Sequence, residues 1–184
     1  RYALEREAFG GTLAGLQAGL KPRLEAVHRE LRRVIESDFG LIAEVNGHLL
    51  QMQGKMFRPT LLLLAEEASG ARDERAESLA AVIELIHLAT LVHDDSVDHS
   101  VLRRGMPTIN ALFSHQVSVI MGDYLYSRAV VELTRLGDLE PLRVISRVTN
   151  EMTGGEMRQL MALEAQVREI VGRAPDASKL KAAA

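Results

Sequence analysis

Cysteine and tryptophan are both missing from this sequence, and aromatic residues supply only 4% of it. The first absence removes disulfides and thiol chemistry and allows a cytoplasmic location. There is no run of the ~20 apolar residues that a membrane span needs, so an integral membrane protein is not expected. Residues 1–20 mix charges with scattered glycines and do not read as a signal peptide. Nothing in the charge pattern, at a net −3, marks a nucleic-acid surface. Strand alternation, internal repeats and linkers are also lacking, which leaves an all-α fold class. What remains is a chain of 184 residues, 47% hydrophobic and 26% charged, ordinary values for one globular domain with a sizeable core.

The most informative stretch is His93-Asp94-Asp95-Ser96-Val97-Asp98, followed by the basic segment Leu102-Arg103-Arg104-Gly105. On a helix, Asp94 and Asp98 are four residues apart and project from one face. Carboxylates that close repel unless a cation sits between them, and such pairs, open to water and phosphate oxygens, are a usual way of holding Mg²⁺. An acidic helix end is often only a solvated terminus. The preceding run, Leu79 to Val92, argues against that, because it is apolar on nearly every side and marks a buried helix. Its polar exceptions are Glu84, His87 and Thr90. At ~100° per residue, His87, Asp94 and Asp98 fall within ~40° of one another, with Glu84 and Thr90 not far off. A polar stripe on a buried helix implies a cavity with polar work to do, read here as a metal-diphosphate site.

Taken in order, residues 2–18 and 22–36 are expected to form amphipathic outer helices, and 39–52 a third, capped by Ser37-Asp38, with Leu41, Ile42, Val45, Leu49 and Leu50 buried. Gly54-Lys55-Met56-Phe57-Arg58-Pro59 places two cations and a first-turn proline before the apolar run Leu61 to Leu64. A helix N-terminus carrying Lys55 and Arg58 invites an anion, although two solvated loop cations are the plainer reading of that stretch alone. The central helix is expected over 76–95, a further buried helix over 109–136 after a Thr108 cap, and another over 140–170 kinked at Gly154-Gly155. Asp123, inside the 109–136 helix, reads as a buried, hydrogen-bonded structural group.

Ile83-Glu84-Leu85-Ile86-His87-Leu88-Ala89-Thr90-Leu91-Val92-His93-Asp94-Asp95-Ser96-Val97-Asp98, with Leu102-Arg103-Arg104-Gly105 and Pro107-Thr108 after it, resembles the first aspartate-rich region of the trans-isoprenyl diphosphate synthases. Gly54-Lys55 with Arg58-Pro59, then Met121-Gly122-Asp123-Tyr124-Leu125, then Gly155-Glu156 with Gln159, are similar to further segments of that family in the same order. The likeness covers about residues 40–162 and is greatest to the long-chain polyprenyl synthases.

The resemblance implies an isoprenoid-synthase-type bundle of mostly antiparallel helices around a central cavity, usually a homodimer. It also implies head-to-tail condensation of isopentenyl diphosphate with an allylic diphosphate to a geranylgeranyl or longer product. Asp94 and Asp98 would bind Mg²⁺, with Asp95 assisting in the same cluster and Arg103 holding the allylic diphosphate. Lys55, Arg58, His87 and Arg104 would hold isopentenyl diphosphate. Ala89 and Thr90, with Ile86 deeper, would set product length, their small size leaving the floor open. Met56 stands where the family usually has a second arginine.

The family's second aspartate-rich motif has no counterpart here, since Asp123, Asp138 and Asp176 are each isolated. Either residues 1–184 are part of a longer single-domain chain, as the start at Arg1 suggests, or the protein is a non-catalytic regulatory subunit of a heteromeric synthase. The intact first cluster favours the former. A third reading is a purely structural bundle, which would bind no diphosphate.

Overall fold

The computed structural model describes residues 12–173 other than Gln53 and Ala71. Residues 2–11 of the first expected helix, and Asp176, lie outside the described residues. The described part is all-α apart from one two-rung hairpin: α1 Leu13–Ala18, α2 Lys21–Ile35, α3 Gly40–Gln51, α4 Phe57–Ser69, α5 Ala76–Val97, β1 Leu102–Arg103, β2 Met106–Pro107, α6 Ile109–Leu112, α7 His115–Arg135 and α8 Leu139–Arg173.

Residues up to Asp138 form one compact unit, and α8 belongs to a second. In the first, α5 is the centre, packed against α7 most extensively and against α2 and α4. Its Ala81, Val82, Leu85, Ala89 and Val92 recur at three and four spacings and are buried. Helix α2 meets it with Val27, Leu31 and Val34, and α7 with Met121, Leu125 and Ala129. Each fully buried Leu or Val contributes roughly 1.5–3 kcal/mol relative to an exposed one. By length and composition α5 is the one described helix apolar enough to cross a membrane, but half of its apolar window is covered by other helices, as in a core helix.

Several boundaries differ from expectation. The helix expected over 109–136 is two, because Ser114 breaks it and caps α7 by accepting from the Val117 N–H. In α3, Leu41 is exposed and Asn46 is buried instead, since its amide donates to the Ile35 carbonyl and turns that face inward. Ser37 accepts from the Phe39 N–H, but Phe39 is the N-cap. Helix α8 runs unbroken through Gly154-Gly155, and no side chain crowds Gly155; a helix this long absorbs two glycines at ~1 kcal/mol each without ending. Met152, Met161 and Ile170 of α8 are exposed.

Candidate functional site

The burial phase of α5 changes meaning over its last turn. Val92 and Ser96 face the core, Asp94 and Asp98 are exposed one turn apart, and the Asp98 N–H still donates to the Asp94 carbonyl at 2.8 Å. The end of the helix is pinned from α7: Ser118 Oγ donates to the Val92 carbonyl, and Ser96 Oγ lies 2.8 Å from His115 Nδ1. Helix α7 approaches so closely that a Cβ on Gly122 would overlap the His93 imidazole.

Asp95 does not share the open cluster with its neighbours. Its carboxylate is 5% exposed and accepts from Arg103 Nε at 2.8 and 2.9 Å, with Arg103 Nη2 at 2.8 Å. A hundred-degree step per residue turns it inward while Asp94 and Asp98 stay outside. The bond from Asp95 raises the Arg103 pKa, and the nearby charges of Asp94 and Asp98 add to it. Asp95 therefore places Arg103 beside the two exposed carboxylates.

The next residue goes elsewhere. Arg104 and Gly105 both have positive φ, 54° and 78°, in the turn that pairs Leu102 with Pro107 and Arg103 with Met106. Positive φ at both central residues matches the twist of a two-residue hairpin. The turn sends Arg104 toward the segment before α4, where Nη1 donates to the Met52 carbonyl at 2.8 Å. Gly54 makes room for it, since a Cβ there would stand 2.7 Å from the same nitrogen. His48 Nε2, 2.7 Å from the Pro107 carbonyl, ties the hairpin to α3.

The segment carrying Lys55 and Arg58 is held from below. Gln17 Nε2 donates to the Lys55 carbonyl at 2.7 Å and to Thr60 Oγ1 at 2.9 Å, and Thr60 Oγ1 donates to the Met56 carbonyl. Met56 takes a left-handed conformation, φ 51°, which inserts its side chain into the core. An arginine there would bury a charge at high cost. Lys55 and Arg58 stay exposed, and Pro59 occupies the first turn of α4.

His87 lies on the polar stripe of α5 within the influence of three arginines. Burial, then the charges of Arg58, Arg104 and Arg103, holds its pKa down to about 4, so at neutral pH it is an uncharged donor. The unfolded imidazole titrates near 6.5, so this contribution to stability is fully present above that pH and is lost as pH falls through about 4. His87→Gln is expected to flatten the fall in unfolding free energy, read from urea titrations, between pH 7 and 4.5, by on the order of 2 kcal/mol after solvent screening. An unchanged slope would place the titration elsewhere.

Thus Lys55, Arg58, His87, Arg103 and Arg104 come from the α4 start, α5 and the hairpin, and the charges of Arg58, Arg104 and Arg103 all act on His87. The chain-length candidates separate: Ala89 is 2% exposed in the core, whereas Ile86 and Thr90 are half-buried on the side that leads down from Asp94. Asp123 is not buried: its carboxylate is 73% exposed, 3.4 Å from His93 Nε2. Glu84 is buried in the stripe with Oε2 lacking a hydrogen bond, and burial raises its pKa against the pull of Arg58 and Arg104. Sequence spacing marked Glu84 as polar without a role. Among the described residues no three Asp, Glu, His or Cys side chains converge as a metal-binding group. Two exposed carboxylates on one turn fit Mg²⁺, which takes one or two carboxylates and fills its remaining positions with water and substrate phosphate.

The fold is of the isoprenoid-synthase type, all-α like its solved neighbours. Residues 40–175 match the polyprenyl synthetase family, and the chain belongs to that family. It is 38% identical over 148 residues to heptaprenyl diphosphate synthase component 2 of Geobacillus stearothermophilus, covering 80% of this chain and 46% of that protein. It is 40% identical over 138 residues to the octaprenyl diphosphate synthase of Escherichia coli, covering 75% and 43%. A decaprenyl diphosphate synthase from Rhodobacter capsulatus superposes with a TM-score of 0.76 at 37% identity, over 80% of this chain and 46% of that one. A polyprenyl synthase from Caulobacter crescentus, complexed with calcium and isoprenyl diphosphate, gives 0.78 at 32% identity, over 82% and 46%. The chain thus spans less than half the length of these relatives.

Proposed function

We propose that the protein is a Mg²⁺-dependent trans-prenyltransferase that condenses isopentenyl diphosphate head-to-tail with an allylic diphosphate, giving a geranylgeranyl or longer polyprenyl diphosphate. The observation that carries this is the exposed pair Asp94 and Asp98 at the end of α5, with Arg103 held beside them by the buried Asp95. The names of the similar proteins, octaprenyl and heptaprenyl diphosphate synthases among them, support a long product. The calcium and isoprenyl diphosphate in the Caulobacter protein support a divalent cation beside a diphosphate. A cytoplasmic homodimer is part of the same proposal.

In this reading Asp94 and Asp98 would hold Mg²⁺, whose chemistry would be to offset charge on the departing allylic diphosphate. Arg103, fixed by Asp95, donates to that diphosphate without having to be ordered during the reaction. Lys55, Arg58 and Arg104 grip the diphosphate of isopentenyl diphosphate, and neutral His87 adds a donor without repelling the arginines. The apolar side chains of α5 shield the allylic cation from water. No protein nucleophile is required.

Two pockets imply two separable affinities. Arg58→Ala is expected to raise the Michaelis constant for isopentenyl diphosphate by ~10-fold or more and that for the allylic substrate little. Steady-state kinetics on the full-length protein checks this, and equal effects on both constants would merge the pockets. Incubating that protein with both substrates and Mg²⁺ tests the activity itself; absence of any condensed product would remove the catalytic reading. The word "component" in the name of the Geobacillus relative favours one second reading, a regulatory subunit, which would show product only when a partner chain is added.

A further inference from the structure

The strained point of the segment that carries Lys55 and Arg58 is the residue between them, Met56. Its φ of 51° is left-handed, a conformation that costs any residue with a β-carbon and persists only where the surroundings over-determine it. Here they do. Thr60 is 1% exposed, and its hydroxyl donates to the Met56 carbonyl at 2.7 Å, beside the Thr60 N–H at 3.0 Å. Gln17, reaching across from α1, donates to that same hydroxyl oxygen at 2.9 Å and to the Lys55 carbonyl at 2.7 Å. Each proton in this chain of bonds has its own acceptor, because the amide nitrogen of Gln17 supplies two and the hydroxyl one. A threonine in a helix often bonds the carbonyl four residues back. A glutamine from another helix, closing on both that hydroxyl and the preceding carbonyl, is not a product of helix geometry.

We propose that Gln17 and Thr60 are positioning residues for the isopentenyl diphosphate pocket: their linked bonds to the Lys55 and Met56 carbonyls lock the left-handed turn that sets Lys55 against Arg58. The inference rests on the assignment of those two cations to isopentenyl diphosphate. The two carbonyls belong to the peptide planes on either side of the Met56 α-carbon, and φ and ψ of that residue are the only soft rotations between them. A link that joins the two planes therefore fixes both angles. Without it, relaxation of Met56 out of the left-handed region would swing Lys55 relative to α4, where Arg58 stays. Lys55 and Arg58 are exposed, so their side chains are not held by packing. Fixing the backbone beneath them lowers the ordering cost of each binding event. The far end of the segment is held separately, by Arg104 on the Met52 carbonyl.

Two variants of Thr60 separate the brace from mere space-filling. Thr60→Val keeps the shape and removes the hydroxyl; Thr60→Ser keeps the hydroxyl and removes a methyl. In the full-length protein T60V is expected to raise the Michaelis constant for isopentenyl diphosphate by ~10-fold, and T60S by less than ~2-fold. The turnover number and the allylic Michaelis constant should stay within ~2-fold in both. Gln17→Met, which fills a similar volume without an amide, should raise the same constant in the same selective way. Michaelis constants do not depend on how much of a variant is folded, so a loss of stability does not obscure the comparison. Calorimetric titration with isopentenyl diphosphate alone should give the same order of dissociation constants, even if the wild type proves not to turn over. T60V and Q17M with lower melting temperatures but wild-type constants, or with equal rises for both substrates, would overturn the brace while leaving the function intact. A wild-type protein that neither condenses the substrates nor binds isopentenyl diphosphate would instead overturn the function, and this inference with it.

Discussion

Asp94→Ala is expected to erase the stabilisation that Mg²⁺ and a diphosphate confer together. A ligand present at 100 times its dissociation constant raises folding stability by ~2.7 kcal/mol, and the variant should show close to none of it. Asp94 is exposed on the last turn of α5, one turn from the exposed Asp98, while Asp95 between them is buried against Arg103. Without Asp94 the cation keeps a single protein carboxylate, and its hold on the protein and on the diphosphate weakens together. The fold itself should be indifferent: loss of an exposed side chain changes stability by ~0.5 kcal/mol or less, and removing like-charge repulsion acts in the favourable direction. Thermal melts with and without Mg²⁺ and inorganic pyrophosphate read both quantities. A variant that keeps the full ligand-induced shift would remove Asp94 from the metal site.

The second large effect concerns product length, and here the structure redirects the experiment. The small residues four and five positions before Asp94 both qualified as the floor beneath a growing chain. Ala89, however, is packed in the core of α5, and a phenylalanine there would overpack it at a cost of ~1–3 kcal/mol. Thr90 is half-buried one turn below Asp94, with Ile86 a turn further down, and its hydroxyl donates to the His87 carbonyl of its own helix. An allylic tail leaving the metal-bound diphosphate would run along that side, gaining burial worth ~0.8 kcal/mol per CH₂ as it grows. Thr90→Phe is therefore expected to stop elongation near farnesyl length while condensation continues. Ala89→Phe should lower the melting temperature with little change in the product ladder. Chromatography of dephosphorylated products decides between them, and the opposite pattern would place the floor on the Ala89 side.

The asymmetry between Ala89 and Thr90 shows what sequence spacing resolves and what it does not. Periodicity located α5, its polar stripe and the cation-bearing start of α4, because these depend on a helix repeat that any observer of the chain can count. It also placed Asp94 and Asp98 on one face. It could not say which flank of α5 would be covered, since that depends on α7 arriving from residues after 114. Asp95 became an anchor for Arg103 only because a two-rung hairpin folds back, and four residues of strand carry no readable alternation. The break at Ser114 was legible as a cap in principle, yet the apolar residues beyond it hid the boundary. Asp123 was misplaced for the converse reason: it sits in a helix rich in apolar residues, on the face turned to water. Met56 in its left-handed conformation had no local signal at all.

The contact between Gly122 and His93 has a consequence for how much the sequence can vary. A β-carbon at 122 would need the space already filled by an imidazole ring one residue before Asp94, and the ring's own position is tied to the Val119 carbonyl at 3.1 Å. A side chain at 122 fits only if the His93 ring, 37% exposed, swings outward and gives up that contact. In a library of every substitution at every position, 122 should therefore stand out as costly to replace, with alanine the mildest change. A residue outside the ligand-binding set would then rank among the sensitive ones, and a map of mutational tolerance alone would mistake a question of clearance for one of chemistry.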